Sequence, residues 1–431
     1  MPSENALRHA KIDLTEFRLS WRILILGLFG VCTSMSAALL YGFGTMIIPL
    51  QNAFGWGRGE LQTSITFLFA GVAIASQLLG WLYARFGLKR VAVYSLIIQI
   101  IGYVALTQMN TSILWLYSVF FIMPLLCAGT IAITWTQLIN LWFHRNRGLA
   151  LATILSGTGL AALTMPPLLA WVMELWGWQA GFLLLAAIPL VTTLPMTLCW
   201  LKLPDTRTHD RSTEDKPSKL SDLSRGVRFA EAIRSKTFWL CNLALILSVS
   251  LIVGMVTVTV PFLQDKGLSP VTAGQVFSAF GASTIFGRLL VGYLLDRFSP
   301  VLISAVALFM PVFGCSIYLV AGPDNIALLI VATLCIGFSA GAEFDIAAFL
   351  VARYFGLKDY ARIFGLHLGL VTIVGGLSPA VFGYVYTRYG NYDPVLLYSL
   401  SAALIASLTL LSMKSATAYK HHCEPDQPEP T

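Results

Sequence analysis

The sequence predicts an all-α membrane protein of twelve transmembrane helices, arranged as two pseudo-symmetric six-helix bundles. Three observations predict this fold class: the composition, the length of the apolar runs and an internal repeat. Of the 431 residues, 57% are hydrophobic and 11% are charged, whereas a soluble domain is about 45–50% apolar and about 25% charged. So large an apolar fraction cannot be buried inside a soluble core, and lipid is therefore the expected solvent for most of the chain.

Apolar runs of membrane-spanning length recur along the chain. A helix needs about 20 mostly apolar residues to cross about 30 Å of hydrocarbon. Charged residues, glycines and prolines separate the runs from one another. The predicted spans are 22–50, 60–84, 90–108, 112–141, 147–172, 178–201, 237–264, 270–296, 300–321, 325–353, 361–387 and 393–413.

An internal repeat divides these spans into two groups of six. Residues match between the halves at an offset of 212 or 213: Gly80 with Gly292, Arg85 with Arg297, Trp142-Phe143 with Tyr354-Phe355, Pro166 with Pro379, and Gly177 with Gly390. Such matches indicate a duplication, in which two bundles rock about a site at their interface. The predicted domains are a cytoplasmic N-terminal tail (1–21), an N-terminal six-helix bundle (22–201), a cytoplasmic inter-bundle loop (202–236), a C-terminal six-helix bundle (237–413) and a cytoplasmic C-terminal tail (414–431).

The basic residues predict the orientation of the chain. With the N-terminus inside, 24 of the 28 Lys and Arg residues lie on the inner side, Arg288 lies within a span, and Arg58, Lys266 and Arg388 lie outside. Basic residues accumulate in cytoplasmic loops, so we expect both termini in the cytoplasm of a plasma membrane, with a bacterial inner membrane favoured. The net charge of +7 then reflects topology, so no nucleic-acid partner is predicted. We expect a monomer.

The sequence carries no motif of an enzyme or a metal site. The seven cysteines are scattered singly, without a CxxC pair, so neither a disulfide framework nor a zinc site is predicted. No Gly-x-x-x-x-Gly-Lys loop for phosphate and no Ser/His/Asp arrangement is present in the sequence. We therefore expect no enzyme activity, no catalytic residue, no cofactor and no bound metal, and ATP-driven pumping has no support.

A short glycine and arginine motif follows the second span of each half. The second copy reads Gly292-Tyr293-Leu294-Leu295-Asp296-Arg297. The first copy reads Gly80-Trp81-Leu82-Tyr83-Ala84-Arg85-Phe86-Gly87-Leu88-Lys89-Arg90. With six plus six helices and a long central loop, the chain resembles the major facilitator superfamily. The resemblance implies a cytoplasmic loop motif made of Gly80, Arg85, Gly87, Arg90, Gly292, Asp296 and Arg297. Ala84 stands where that family usually has an aspartate.

Further short motifs resemble the monocarboxylate transporter and oxalate/formate antiporter branch of that superfamily. They are Tyr41-Gly42-Phe43, Phe54-Gly55-Trp56, Trp142-Phe143 with Arg147-Gly148, Gly287-Arg288, Phe344-Asp345 and Gly369-Leu370-Val371-Thr372-Ile373-Val374. The resemblance implies transport of a small carboxylate by alternating access. Two positions depart from the branch, because Thr45 stands where a lysine is common and Thr284 where an acid pairs with the eighth-span arginine. The family's proton site is therefore not carried over as it stands.

Four readily ionisable residues lie well inside the predicted spans: Arg288, Glu343, Asp345 and His367. A charge at a helix centre costs about 2.5–3.5 kcal/mol on insertion scales, so such residues normally face a polar cavity or a partner. At 1.5 Å per residue, Arg288 and Glu343 lie about 13 and about 15 Å from the inner edge of the bilayer. This similar depth permits pairing between the eighth and tenth spans.

Arg288 is predicted to bind a carboxylate of the substrate, because a guanidinium presents a permanently charged, planar fork that matches this group. The alternative is an ion pair that only locks the C-terminal bundle. Glu343 and Asp345 are two residues apart and point about 200° away from each other on a helix, so both cannot face one cavity. Asp345 is favoured as the acid that titrates or that neutralises Arg288, and Glu343 is the second candidate.

Two further side chains complete the candidate site. His367, on the cytoplasmic side of the eleventh span, is a candidate proton relay because histidine changes charge near neutral pH. The alternative is a packing residue near a helix end. Tyr41, in the first span, is a candidate hydrogen-bond donor to a substrate carboxylate, and the alternative is an aromatic residue of the core.

These residues predict a secondary active transporter of a small organic anion, most simply a monocarboxylate, with proton symport. Exchange of one carboxylate for another is the nearest variant. A drug/proton efflux antiporter is a rival hypothesis, and a solute sensor that signals through the inter-bundle loop is a third. The predicted partners are the carboxylate, protons and the lipid bilayer.

Overall fold

The computed structural model describes residues 15–109, 111–143, 146–202, 226–356 and 358–413, so parts of the predicted tails and most of the predicted 202–236 loop lie outside the described residues. The N-terminal half contains α1 (Thr15–Cys32), α2 (Met35–Phe54), α3 (Arg58–Phe86), α4 (Leu88–Leu106), α5 (Ile113–Leu126), α6 (Ala132–Trp142), α7 (Arg147–Leu155), α8 (Gly157–Trp176), α9 (Trp178–Val191) and α10 (Thr193–Trp200). The C-terminal half contains α11 (Phe229–Ala232), α12 (Lys236–Asp265), α13 (Pro270–Arg297), α14 (Pro300–Val320), α15 (Ile326–Phe355), α16 (Tyr360–Tyr389) and α17 (Asp393–Ser412).

The helices confirm the predicted fold class of an all-α membrane protein. Eleven helical segments of the described residues are long and apolar enough to cross a membrane. The fourth predicted span contributes the shorter apolar helix α5. The repeat is visible in the element order, because α3 begins at Arg58 and α13 begins 212 residues later at Pro270. The helices that begin 212 or 213 residues apart are α3 and α13, α4 and α14, α5 and α15, and α7 and α16.

The first and fourth spans are not continuous helices, so the predicted spans 22–50 and 112–141 were wrong in this respect. The first span is divided at Thr33–Ser34, where the Ser34 hydroxyl accepts a hydrogen bond from the Ala37 N–H (3.3 Å) and caps α2. The fourth span is divided by a 3₁₀ turn at Ala128–Thr130. At this turn the Gly129 N–H donates to the Ser95 hydroxyl of α4 (3.0 Å). Side chains of neighbouring residues thus satisfy the backbone groups that each break releases.

Two further spans are divided, and one helix begins earlier than predicted. The predicted spans 147–172 and 178–201 are each formed by two helices, which meet at Ser156 and Thr192. The helix α1 begins at Thr15, inside the predicted tail 1–21, and its backbone leaves the helical conformation at Ser20 (φ −111°, ψ 19°). In contrast, the spans of the C-terminal half are single helices. The interruptions therefore belong to the N-terminal half.

The two halves pack together through α8 with α13 and through α3 with α16. Glycines allow the first contact. A Cβ atom added at Gly159 would lie 2.8 Å from the Gly281 carbonyl oxygen, which is too close for a real side chain. In the second contact the Thr66 hydroxyl donates to the Gly376 carbonyl oxygen (2.7 Å). Small residues commonly permit such close helix approach in membranes. Gly159, Gly281 and Gly376 thus belong to the interface between the halves.

These contacts are concentrated toward one end of the bundle. We call this end the Arg58 side, where α3 begins and α12 ends, and the opposite end the Arg297 side, where α13 ends and α16 begins. Toward the Arg58 side, Gly383 of α16 lies so close to α3 that a Cβ atom added to it would be 2.8 Å from the Arg58 carbonyl oxygen. Toward the Arg297 side, the same two helices have open space around Gly80 and Gly365. The halves are therefore in close contact on the Arg58 side, whereas a Cβ atom at Gly80 or Gly365 on the Arg297 side would have no neighbour within 4 Å.

Candidate functional site

Arg288 belongs to the C-terminal half and is held on α13 against α15. The two helices approach closely because Gly341 of α15 faces the backbone of α13. A Cβ atom added at Gly341 would lie 2.9 Å from the backbone nitrogen of Arg288. Thr284 reinforces this contact, since its hydroxyl lies 3.2 Å from the Gly337 carbonyl oxygen. The Arg288 side chain is only 10% exposed. The helix packing thus removes this cation from solvent and places it beside the tenth span.

The partner of Arg288 in this structure is Asp345. The Arg288 Nε atom lies 3.7 Å from the Asp345 Oδ2 atom, which is an ion-pair distance but too long for a hydrogen bond. Neither Nε nor Nη1 of Arg288 has a hydrogen-bond partner among the described residues. A buried donor left unpaired costs about 1–3 kcal/mol, and more when it is charged. The guanidinium therefore has unused donors, while the Asp345 side chain is 38% exposed.

Glu343 faces a different set of neighbours from Asp345. Its side chain is buried, with 3% exposure, and the Ser248 hydroxyl of α12 donates to its Oε2 atom (3.4 Å). Two residues on a helix differ by about 200° in direction. Glu343 lies beside Ser248 and Asp345 beside Arg288, as expected if the two acids do not face one cavity. Glu343 remains within electrostatic reach of Arg288.

His367 lies close to Glu343, inside the C-terminal half. Both residues line a cavity of about 10 Å³ between α12, α15 and α16, a volume that holds at most one water molecule. His367 is 1% exposed, and neither ring nitrogen has a hydrogen-bond partner among the described residues. Its ring packs against Phe238, with 6.2 Å between the ring centroids. The structure therefore groups Glu343 with His367, and Asp345 with Arg288.

Tyr41 brings a side chain of the N-terminal half to the candidate residues of the C-terminal half. The residue lies on α2, and its ring centroid is 6.2 Å from that of Phe280 on α13. Its hydroxyl lies within electrostatic reach of Arg288 and Glu343. The structure thus places all the candidate residues from the first, eighth and tenth spans in one region, at the interface between the halves.

A second ionic cluster closes the Arg58 side, and it was not predicted from the sequence. The Arg58 guanidinium donates from Nη1 and Nη2 to the two carboxylate oxygens of Asp265 (2.6 and 2.7 Å). It also donates to the Tyr392 hydroxyl (3.1 Å) and lies 4.0 Å from the ring centroid of Tyr386. The bidentate geometry is the strong form of this interaction. Because Arg58 belongs to one half and the other three residues to the other, the cluster joins the halves. We call it the Arg58 cluster.

The comparison with known families agrees with this architecture. Residues 26–379 match the family model described as Major Facilitator Superfamily. The chain belongs to the Major Facilitator Superfamily. It is therefore a membrane transporter and not an enzyme.

Individual relatives of this superfamily member are distant. The uncharacterized MFS-type transporter YhjX of Escherichia coli (strain K12) is 25% identical over 72% of this chain and 75% of that protein. Monocarboxylate transporter 13 of Rattus norvegicus is 24% identical over 91% of this chain and 88% of that protein. A crystal structure of a mutant nucleoside transporter NupG has a TM-score of 0.69 and 16% identity, and the match covers 92% of this chain and 100% of that one. The structural likeness shows the shared fold.

The loop motif of this superfamily member lies at matching ends of α3 and α13, on the Arg297 side. Gly87 caps α4 with φ +80°, a backbone conformation that favours glycine. The Arg297 guanidinium lies 4.5 Å from the ring centroid of Tyr293. The side chain of Asp296 lies outside the described residues. Among the described residues, no three His, Cys, Asp or Glu side chains form a group that could hold a metal ion.

Proposed function

We propose that this protein is a secondary active transporter of a small monocarboxylate, which it moves by alternating access together with a proton. The observation that supports the proposal most directly is the state of Arg288. It is a buried guanidinium with two nitrogens that lack hydrogen-bond partners among the described residues, at the interface of two rocking halves. A carboxylate of the substrate would accept two parallel hydrogen bonds from this fork. Binding would satisfy the Nε and Nη1 donors, which have no partner among the described residues.

The likeness to monocarboxylate transporter 13 supports the same substrate class. The match extends over 91% of this chain at 24% identity, so the two proteins share most of their length. In our proposal, this chain also carries a monocarboxylate. Tyr41 would donate a further hydrogen bond to the bound carboxylate from the N-terminal half, so that the substrate contacts both halves.

Proton coupling would follow from an exchange of partners at Arg288. In this structure Asp345 is the counter-charge of the guanidinium at 3.7 Å. A substrate carboxylate that takes this place leaves Asp345 without its counter-charge, which favours protonation of the acid. Glu343 and His367, which share a small cavity, would accept or pass on the proton inside the C-terminal half. The substrate and the proton would then cross together, with their charges balanced.

Transport by purified protein in liposomes tests this function. We expect uptake of a labelled monocarboxylate such as lactate, with accumulation when the outside is made more acidic than the inside. Uptake should collapse when a protonophore removes the pH gradient. Exchange without accumulation would indicate an antiporter instead. Uptake of uncharged or cationic compounds in place of carboxylates would contradict the proposal.

Replacing Asp345 separates binding from coupling. Asp345→Asn keeps the shape of the side chain but removes the group that takes the proton. We therefore expect exchange of substrate across the liposome membrane to continue, while accumulation driven by a pH gradient is lost. Asp324→Asn, at an exposed position between α14 and α15, is the matched control and should accumulate substrate normally. Normal accumulation by Asp345→Asn would exclude Asp345 from proton coupling.

We also propose that both termini and the 202–236 loop are cytoplasmic, with the domain limits predicted from the sequence. The Arg58 side would then be outside, and the Arg58 cluster would hold the halves together on that side. In a variant without the seven native cysteines, new cysteines at Ser269 and Asn391 should react with a membrane-impermeant maleimide in intact cells. A cysteine at Ser212 should react only after the cells are opened. The reverse pattern would invert the orientation.

A further inference from the structure

A large groove lies between α16 and α17, away from the candidate transport site. Both helices pack against α12 but make few contacts with each other. The space between them has a volume of about 520 Å³, within the roughly 300–1,000 Å³ typical of sites for small ligands. We define this α16–α17 groove by Ser250, Val374, Leu377, Val381, Val385 and Tyr398. None of these residues belongs to the site around Arg288.

The groove opens on the membrane-facing surface of the protein. Its wall residues Leu377 and Val381 are 49% and 55% exposed, although the chain crosses a membrane there. Its floor is closed, because the Ser250 and Tyr398 hydroxyls satisfy each other at 2.8 Å. Polar groups of an occupant would find few partners on such walls, and water is not stable in the hydrocarbon layer. The chemistry of the groove therefore fits a hydrocarbon chain.

The length of the groove fits one leaflet of a bilayer. It runs along α16 from Val374 to Tyr389, which is about 22 Å at 1.5 Å per residue. Half of the hydrocarbon layer is about 15 Å thick, so an acyl chain that lies tilted along α16 can fill the groove.

A cation stands at the outer end of the groove. Arg388 lies three and seven residues beyond the groove residues Val385 and Val381, on the same face of α16. Two other basic residues on the Arg58 side are engaged, since Arg58 binds Asp265 and the Lys266 amine donates to the Ala321 carbonyl oxygen. No hydrogen bond or ion pair to a described residue engages Arg388. The Arg388 guanidinium is exposed and can therefore bind a phosphate.

We propose that the α16–α17 groove binds a membrane phospholipid, with one acyl chain between the two helices and the headgroup phosphate on Arg388. The lipid would fill the space that the splayed helices leave and would be carried by the half of the protein that contains α12, α16 and α17. This binding site does not depend on the identity of the transported substrate.

Photolabelling in lipid nanodiscs tests the proposal. The probe is phosphatidylglycerol with a diazirine on one acyl chain, and mass spectrometry locates the labelled residues after irradiation. We expect labels on the peptides that carry Leu377, Val381 and Tyr398. Leu377→Trp and Val381→Trp place an indole in the groove and should abolish these labels. Ile373→Trp, which is on the same helix, 62% exposed and outside the groove, is the matched control and should leave the labels unchanged.

A second pair of probes tests the headgroup contact. Labelling by the phospholipid probe should exceed labelling by a diacylglycerol with the same chains, which lacks the phosphate. Arg388→Gln should reduce labelling by the phospholipid about tenfold or more, to the level of the diacylglycerol, since a charge-assisted hydrogen bond contributes about 1.5–3 kcal/mol. Uniform labelling of all membrane-facing helices, or unchanged labelling in Leu377→Trp and Val381→Trp, would overturn the site. Equal labelling by both probes in the unmodified protein would overturn the role of Arg388.

Discussion

Arg288→Gln should abolish high-affinity binding of the carboxylate, while Arg288→Lys should weaken it to an intermediate level. Truncating one partner of a buried charge pair costs about 2–5 kcal/mol, which is a loss of about 30-fold or more in affinity. Lysine keeps the positive charge but lacks the planar fork that binds both carboxylate oxygens. Calorimetric titration of purified protein with the transported carboxylate measures both losses.

The position of Arg288 makes its variants informative. Arg353→Gln removes an exposed arginine from the end of α15 and should leave binding unchanged, so it controls for loss of charge. The Asp345 side chain is 38% exposed and is not enclosed in the core, so the variants should remain folded. Thermal unfolding of each variant checks this. Unchanged affinity in Arg288→Gln would exclude the anchor role and would favour the efflux hypothesis.

Breaking the Arg58 cluster should shift the protein toward the state that is open on the Arg58 side. In the present structure Arg58 is 6% exposed and makes two short hydrogen bonds to Asp265 across the halves. Breaking a fully buried pair costs about 3–5 kcal/mol. Asp265 is 32% exposed, so we expect about 2 kcal/mol, or roughly 30-fold in the ratio of the two states.

Distances between spin labels measure this shift. Labels at Asn52 and Ser269, which are exposed residues of opposite halves on the Arg58 side, should move apart in Arg58→Gln and in Asp265→Asn. The matched control is Arg228→Gln, which breaks the exposed pair of Arg228 with Glu231 and should leave the distances unchanged. Identical distance distributions in all variants would show that the Arg58 cluster does not hold the closed state.

The sequence was sufficient to predict the fold class, because each element of that prediction depends on local composition. The free energy of transfer into lipid is set by the apolar content of about 20 consecutive residues. This content can be determined for each segment without knowing which other segments pack against it. The spans of the C-terminal half were placed to within a few residues, as α12 and α13 show. The repeat was readable because Gly80 and Gly292 keep their spacing along the chain.

The helix breaks of the N-terminal half were not readable from hydropathy. A break is tolerated in a membrane only where other groups satisfy the released backbone, and these groups come from distant residues. The Gln99 amide donates to the Thr33 carbonyl oxygen (2.8 Å) from 66 residues away, and the Ser95 hydroxyl accepts from Gly129 in the same manner. Both segments remain apolar in sequence, so they resemble unbroken spans.

For the candidate site, the sequence determined which charges enter the membrane and at what depth. It could pair the eighth and tenth spans, because Arg288 and the two acids have similar distances from the ends of their helices. The tertiary structure decided which acid is the partner, since the close contact of α13 with Gly341 brings Asp345 to 3.7 Å from Arg288. It also placed Glu343 beside Ser248.

The Arg58 cluster was decided by tertiary structure alone. Arg58 and Asp265 are 207 residues apart. In the sequence Arg58 precedes its predicted span and Asp265 follows its own, each as an ordinary loop residue. Their contact requires the two halves to tilt together on one side, and no local pattern encodes that tilt. Hydrophobic transfer energy is a property of each segment and was therefore predictable, whereas an ion pair between segments depends on how the bundles dock, which only the folded chain determines.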